Sequence, residues 1–180
     1  MADEIIAPRN AGFVPVPEGD YQGVCVDVID LGMVQNRKYG VMQHKVALVF
    51  QLDQAGEDGK QYEIAERFTL SLNEKAQLRK FLEQWRGRPY KEEQLTDGIP
   101  LHKLVGQNGI IAVVHNTSGE KTYANIFSIR PLGKQDKTMK PESYTRSPKW
   151  AEKIQKSQPA NADSDTTAYS GDDDDDTVPF

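Results

Sequence analysis

The sequence predicts a mainly β domain with one helix between its third and fourth strands, followed by a basic extension and an unstructured acidic tail. Three observations carry this. Four segments alternate apolar and polar residues with a period of two, and a fifth is a short continuous apolar run. One segment places Leu78, Phe81, Leu82 and Trp85 at helical intervals of three and four. The charge is also segregated: residues 1–160 hold all 22 Lys and Arg against 20 Asp and Glu, whereas residues 161–180 hold seven Asp and no base.

Residues 1–20 contain Pro8, Pro15 and Pro17 and read as an extended lead-in to a folded domain over 21–132. The first strand is YQGVCVDVIDLG (21–32), with Val24, Val26 and Val28 on one face and Cys25 buried as a small apolar residue. Asn36 and Gly40 mark a loop over 33–42. Alternation resumes in QHKVALVFQLD (43–53), with Val46, Leu48, Phe50 and Leu52 inward. The Gly- and Asp-rich AGEDGK (55–60) then implies a hairpin into the third strand, 61–70. Ser71 and Glu74 have capping-box spacing ahead of the helix, which Gly87 and Pro89 end. PLHKLVG (100–106) offers a short helical turn. NGIIAVVHN (108–116) is apolar enough to be covered on both faces, and KTYANIFSIRPL (121–132) is the fifth strand, with Phe68 and Phe127 assigned to the core. Residues 133–156 form a basic extension that includes one short helix after Ser147 and Pro148. Residues 157–180 have almost nothing to bury, so a disordered tail is expected.

The order strand, strand, strand, helix, strand, strand is that of the OB-fold, a five-stranded Greek-key barrel with a helix between strands three and four. Another small α+β sheet would also satisfy it.

The composition excludes several classes. No apolar run approaches the ~20 residues that span a bilayer, and the acidic MADEIIAPRN is unlike a signal peptide, so an intracellular, cytoplasmic protein is expected. The single Cys25 forbids an intrachain disulfide. His44, His102 and His115 have no partners at metal-ligand spacing, and no phosphate loop, nucleophile elbow or zinc-protease motif is present. The expectation is a non-enzyme without metal or cofactor.

The site of an OB barrel lies on strands two and three, between the loop joining strands one and two and the loop joining four and five. A nucleic-acid site there needs cations for phosphates and flat rings for bases. The first loop supplies Arg37, Lys38 and Tyr39. Lys45 and Arg67 lie on the outward faces of strands two and three, while Lys121, Tyr123 and Arg130 lie in or beside the second loop and strand. Residues 121–160 carry nine bases against three acids, and within that stretch Tyr144 and Trp150 are further stacking candidates. Trp150 would equally serve to staple the extension to the barrel.

The chain ends DDDDDTVPF: Asp172, Asp173, Asp174, Asp175 and Asp176, then Val178, Pro179 and Phe180. A terminal ring and carboxylate suit a basic, apolar pocket on a partner. This tip resembles that of bacterial single-stranded DNA-binding proteins. The stretches 68–90 and 119–132 resemble phage-encoded proteins of that class. The resemblance implies binding of single-stranded DNA without strong sequence preference in DNA replication, recombination and repair. It also implies recruitment of replication and recombination proteins through the tip, which in those families competes with DNA for the basic groove. Thr177 departs from the pattern. Two other functions fit the residues: an acidic-tailed adaptor or DNA mimic, and an RNA-binding OB protein. The oligomeric state is open.

Overall fold

The computed structural model describes residues 15–157. Five antiparallel strands form one sheet: β1 (Gly19–Gln35), β2 (Met42–Ala55), β3 (Gln61–Thr69), β4 (Asn108–Ser118) and β5 (Lys121–Arg130). Three helices join them: α1 (Gln77–Arg86), α2 (Glu92–Asp97) and α3 (Pro148–Ser157), with a 3-10 turn at Leu101–Leu104. The sheet order is β3-β2-β1-β4-β5. Long β1 is the hinge of this arrangement. Its first half pairs with β4 (Gly19 to Val113, Val24 to Asn108), and β2 runs alongside it from Gly23 to Gln35. The edge strands β3 and β5 run in the same direction and approach each other, but no ladder closes the sheet among the described residues.

The inward row of β2 is Val46, Leu48, Phe50 and Leu52, all buried as the alternation predicts. Helix α1 closes over this face through Leu78, Phe81, Leu82 and Trp85. Phe50 meets Trp85 edge-on at 5.2 Å, and Phe68 meets Phe81 at 4.8 Å. The Trp85 indole donates to the carbonyl of Asn108 at 2.7 Å, which satisfies its one polar atom. The close fit uses a glycine: a Cβ on Gly109 would sit 2.7 Å from Trp85 Nε1.

Several elements differ from their sequence reading. Helix α1 starts at Gln77, N-capped by Ala76 without a side-chain bond; Ser71 instead takes the Asn73 amide at 3.3 Å in a separate turn, so the apparent capping box is unused. Gly87, at φ 75°, ends the helix as expected. In β1, register shifts between Cys25 and Asp27 and between Asp30 and Gly32 break the strict period of two. Val24 and Val26 therefore join the outer cluster while Val28 packs against the inner core. Cys25 is fully buried, and burial pushes its thiol up to about 12. The lead-in is tied down from Val16 onward, since the His115 ring lies 2.6 Å from the Val16 carbonyl. Phe127, expected in the core, is 75% exposed.

Candidate nucleic-acid interface

The β1–β2 tip is a short, well-braced turn. The Asn36 amide donates to Val41, and the Asn36 carbonyl accepts from Gly40, both at 2.7 Å. Asn36 Oδ1 accepts from the amides of Lys38 (2.9 Å) and Tyr39 (3.3 Å), an Asx-type brace. Gly40 takes the left-handed conformation, φ 69°, that closes the turn. Arg37, Lys38 and Tyr39 are thereby held out in solvent, with Tyr39 47% exposed and Lys38 Nζ 5.1 Å from its ring centre. Exposed Met33, Val41, Met42 and Leu70 occur beside this turn and at the end of β3. The tip thus combines a ring, apolar surface and two cations.

The outward face of the sheet divides into two halves. On the β1–β2–β3 half, Lys45 and Arg67 stand on neighbouring rungs, since Lys45 pairs with Thr69 and Ala47 with Arg67. The structure brings them together but leaves neither open: Lys45 is buried and its Nζ donates to Thr69 Oγ1 at 2.8 Å, and burial lowers the pKa of Arg67. Around them Val24, Ile29, Leu31, Ala47 and Val49 are buried under residues 137–154 of the same chain.

That strap is gripped by polar side chains of the sheet. Asn108 binds both backbone groups of Met139, accepting at 2.8 Å and donating at 3.0 Å. Gln51 does the same to Glu142, at 2.6 Å each way. Asp27 accepts from Tyr144 Oη at 2.9 Å and from two nitrogens of Arg146 at 2.7 Å each. Burial pushes the Asp27 carboxyl up, but these bonds outweigh it and hold the carboxyl below its usual range. The Tyr144 phenol is pushed well up by burial and by the Asp27 carboxylate. Trp150, at the start of α3, is 9% exposed within the outer cluster, so two stacking candidates from the sequence, Tyr144 and Trp150, lie in the packing between strap and sheet.

The other half, made of the start of β1 with β4 and β5, is less covered. Its outward Ile110, Ala112 and Val114 are only half-buried, although Asn125 is buried. Lys121, Tyr123 and Arg130 all lie on this outward side of β5. They share it because of a bulge. Val113 pairs with Ile126 and Ala112 with Ser128, which leaves Phe127 unpaired and shifts the phase between Tyr123 and Arg130. Lys121 and Arg130 are exposed and Tyr123 is half-buried. By the ladder registers the Arg37–Tyr39 tip lies past one end of β1, and the β4–β5 tip past the other.

A separate cleft of about 450 Å³ lies beside α1, lined by Leu82, Trp85, Tyr90 and Leu104, with Arg86 and Lys103 among its walls. Arg86 stacks over the Tyr90 ring at 4.0 Å. The described residues contain no group of three or more His, Cys, Asp or Glu able to hold a metal, and no helix long and apolar enough to cross a membrane. His44 pairs instead with Asp30 at 2.6 Å. Asp172 to Asp176, Val178, Pro179 and Phe180 lie outside the described residues. The chain matches no protein-family model and no curated protein.

The stapling role weighed for Trp150 matches its burial, whereas two features escaped the sequence reading: the strap's polar grips and the exposure of Phe127. Pro141 and Pro148, with Tyr144 between them and Trp150 just beyond, hinted at the first. Nothing local signalled the second.

Proposed function

We propose that this chain is a single-stranded DNA-binding protein built on an OB-type barrel, which coats exposed strands in replication and recombination and recruits partner proteins through its acidic tip. The observation that carries the reading is the β1–β2 tip, where Asn36 braces the Tyr39 backbone and Arg37, Lys38 and Tyr39 all face solvent. A preset ring costs little entropy to stack, and its cations meet the phosphates on either side. Two further facts support it. The strand order, with β3 and β5 close and codirectional at its edges, is the order of an OB barrel before closure. The basic 121–160 stretch is followed by seven aspartates, a charge pairing suited to a tail that competes with phosphates.

The deciding experiment is a salt titration of binding to dT, rU and duplex oligomers, with the intact chain and with residues 171–180 removed. Tightest binding to dT is expected, with log affinity falling against log salt at about −0.7 per phosphate neutralised. Removing 171–180 should tighten binding, most at low salt. Equal or tighter duplex binding overturns the reading, and tighter binding to rU moves it to RNA. In the same assay Tyr39→Ala should lose about 1–3 kcal/mol of binding without loss of folding.

A further inference from the structure

We propose that Phe127 is a base-stacking residue, and that a bound DNA strand crosses β5 on the less covered half of the outer face. This rests on the single-strand reading above and adds a residue and a path that it lacks. The usual path over β2 and β3 is obstructed: Ala47 and Val49 of β2, with Val24, Ile29 and Leu31 of neighbouring β1, are at most 3% exposed beneath the strap, and Lys45 is buried with them. Clearing that path would expose all five and free Trp150, a loss of buried apolar area that opposes it. On β5 nothing has to be cleared.

Phe127 is the most exposed large hydrophobic residue among those described, at 75% against 47% for Tyr39. A ring so exposed contributes little to folding, and the bulge that ejects it removes the rung it would otherwise occupy. Bulges of this kind redirect one side chain while the rest of the strand stays paired. The surroundings suit an anion. Arg130 is three residues away, ~10 Å along the strand. The rung of Arg130 continues through Ile110 to Gln22, whose side-chain amide holds the Lys137 carbonyl at 2.5 Å, so a second exposed basic residue lies beside that rung. Lys121 begins the same strand. Exposed acids oppose them: Asp20 on the outward row of β1, Glu120 beside Lys121 and Asp136 beside Lys137.

The test is fluorescence anisotropy of labelled dT oligomers with full-length Phe127→Ala, Phe127→Leu and Phe127→Tyr, each checked for an unchanged thermal melt. Phe127→Ala and Phe127→Leu should weaken binding by roughly tenfold, whereas Phe127→Tyr stays within about twofold of the parent. Phe127→Trp should show emission quenching on adding dT, since the native Trp85 and Trp150 are buried. Parent-like affinity of Phe127→Ala, or of Phe127→Leu, overturns the proposal. If Tyr39→Ala is weakened and Phe127→Ala is not, only the path across β5 falls. If the intact chain does not bind dT at all, the single-strand reading falls with it.

Discussion

The two halves of the outer face are built from the same sheet and even share β1, yet they ended in opposite states. On the β1–β2–β3 half the outward residues include Val24, Ile29, Ala47 and Val49, set among Lys45, Gln51 and Arg67, and they are roofed by the strap. On the β4–β5 half the outward positions mix Ile110 and Val114 with Tyr123, Lys121 and Arg130, and a bulge puts Phe127 into water. The difference lies in how many outward positions are apolar. A sheet face with a contiguous apolar patch is stabilised by a cover, and here the chain covers it with its own basic extension, leaving Lys45, Gln51 and Arg67 beneath or beside the strap. Cations drawn from the sequence as one converging site are therefore split, with Lys45 and Arg67 beneath the strap and Lys121 and Arg130 exposed.

The sharpest way to break the contrast is to remove its anchor. Trp150→Ala should cost about 3 kcal/mol, the lower range for a buried tryptophan. In a limited-proteolysis time course, residues 137–157 should be cut first while the sheet and α1 persist. If strap and sheet unfold together in that variant, the covered half is one cooperative unit with the core.

Asp27→Asn should cost about 2 kcal/mol, because a carboxylate receiving three charged or phenolic donors is replaced by an amide that can satisfy fewer. Its readout is the denaturation midpoint of the strap, with Trp150 emission moving to longer wavelength.

Acid should act on the same contact more gradually. The folded Asp27 carboxyl lies below its unfolded value, so its contribution is complete above about pH 5 and is lost as the pH falls below ~4. Strap release monitored by Trp150 fluorescence should therefore begin in that range for the parent and be flat in Asp27→Asn. A parent-like acid transition in the variant would place the control elsewhere.

The smallest effect is expected on the open half. Arg130→Ala should leave the melt unchanged and reduce the salt slope of dT binding by about 0.7. The same shift from Lys45→Ala would mean that the covered half is reached after all.

Much of the scaffold was legible in the sequence. The inward row Val46–Leu52 and the helix face Leu78–Trp85 both follow from periodicity, because one water-facing side leaves a clean pattern. Helix α3 was legible from Ser147 and Pro148. Bulges were not. Tyr123, Phe127 and Ile129 share a parity, so alternation alone puts them on one face; the extra residue is visible only against the partner strand, where Val113 and Ala112 skip from Ile126 to Ser128. The strap was hidden for a different reason. Its grips join residues 91 and 117 positions apart, Gln51 to Glu142 and Asp27 to Tyr144, and no local pattern encodes a contact between an irregular segment and a distant strand. Of the site, the Arg37–Tyr39 tip was readable because a turn offers its residues no core to fill.

The two amide grips have a consequence for how the strap can vary. Asn108 and Gln51 hold backbone atoms of Met139 and Glu142, not their side chains. Exposed Glu142 can therefore be exchanged for almost any residue except proline, whose missing N–H would leave the Gln51 carbonyl oxygen without its donor. The spacing between the grips is another matter. They are three residues apart on the strap and fixed to one rung of the sheet, where Val24 faces Gln51 on one side and Asn108 on the other. Inserting or deleting one residue at Lys140 or Pro141 would put one grip out of step and carry Tyr144, Arg146 and Trp150 away from their seats. This segment should be indifferent to spelling and strict about length.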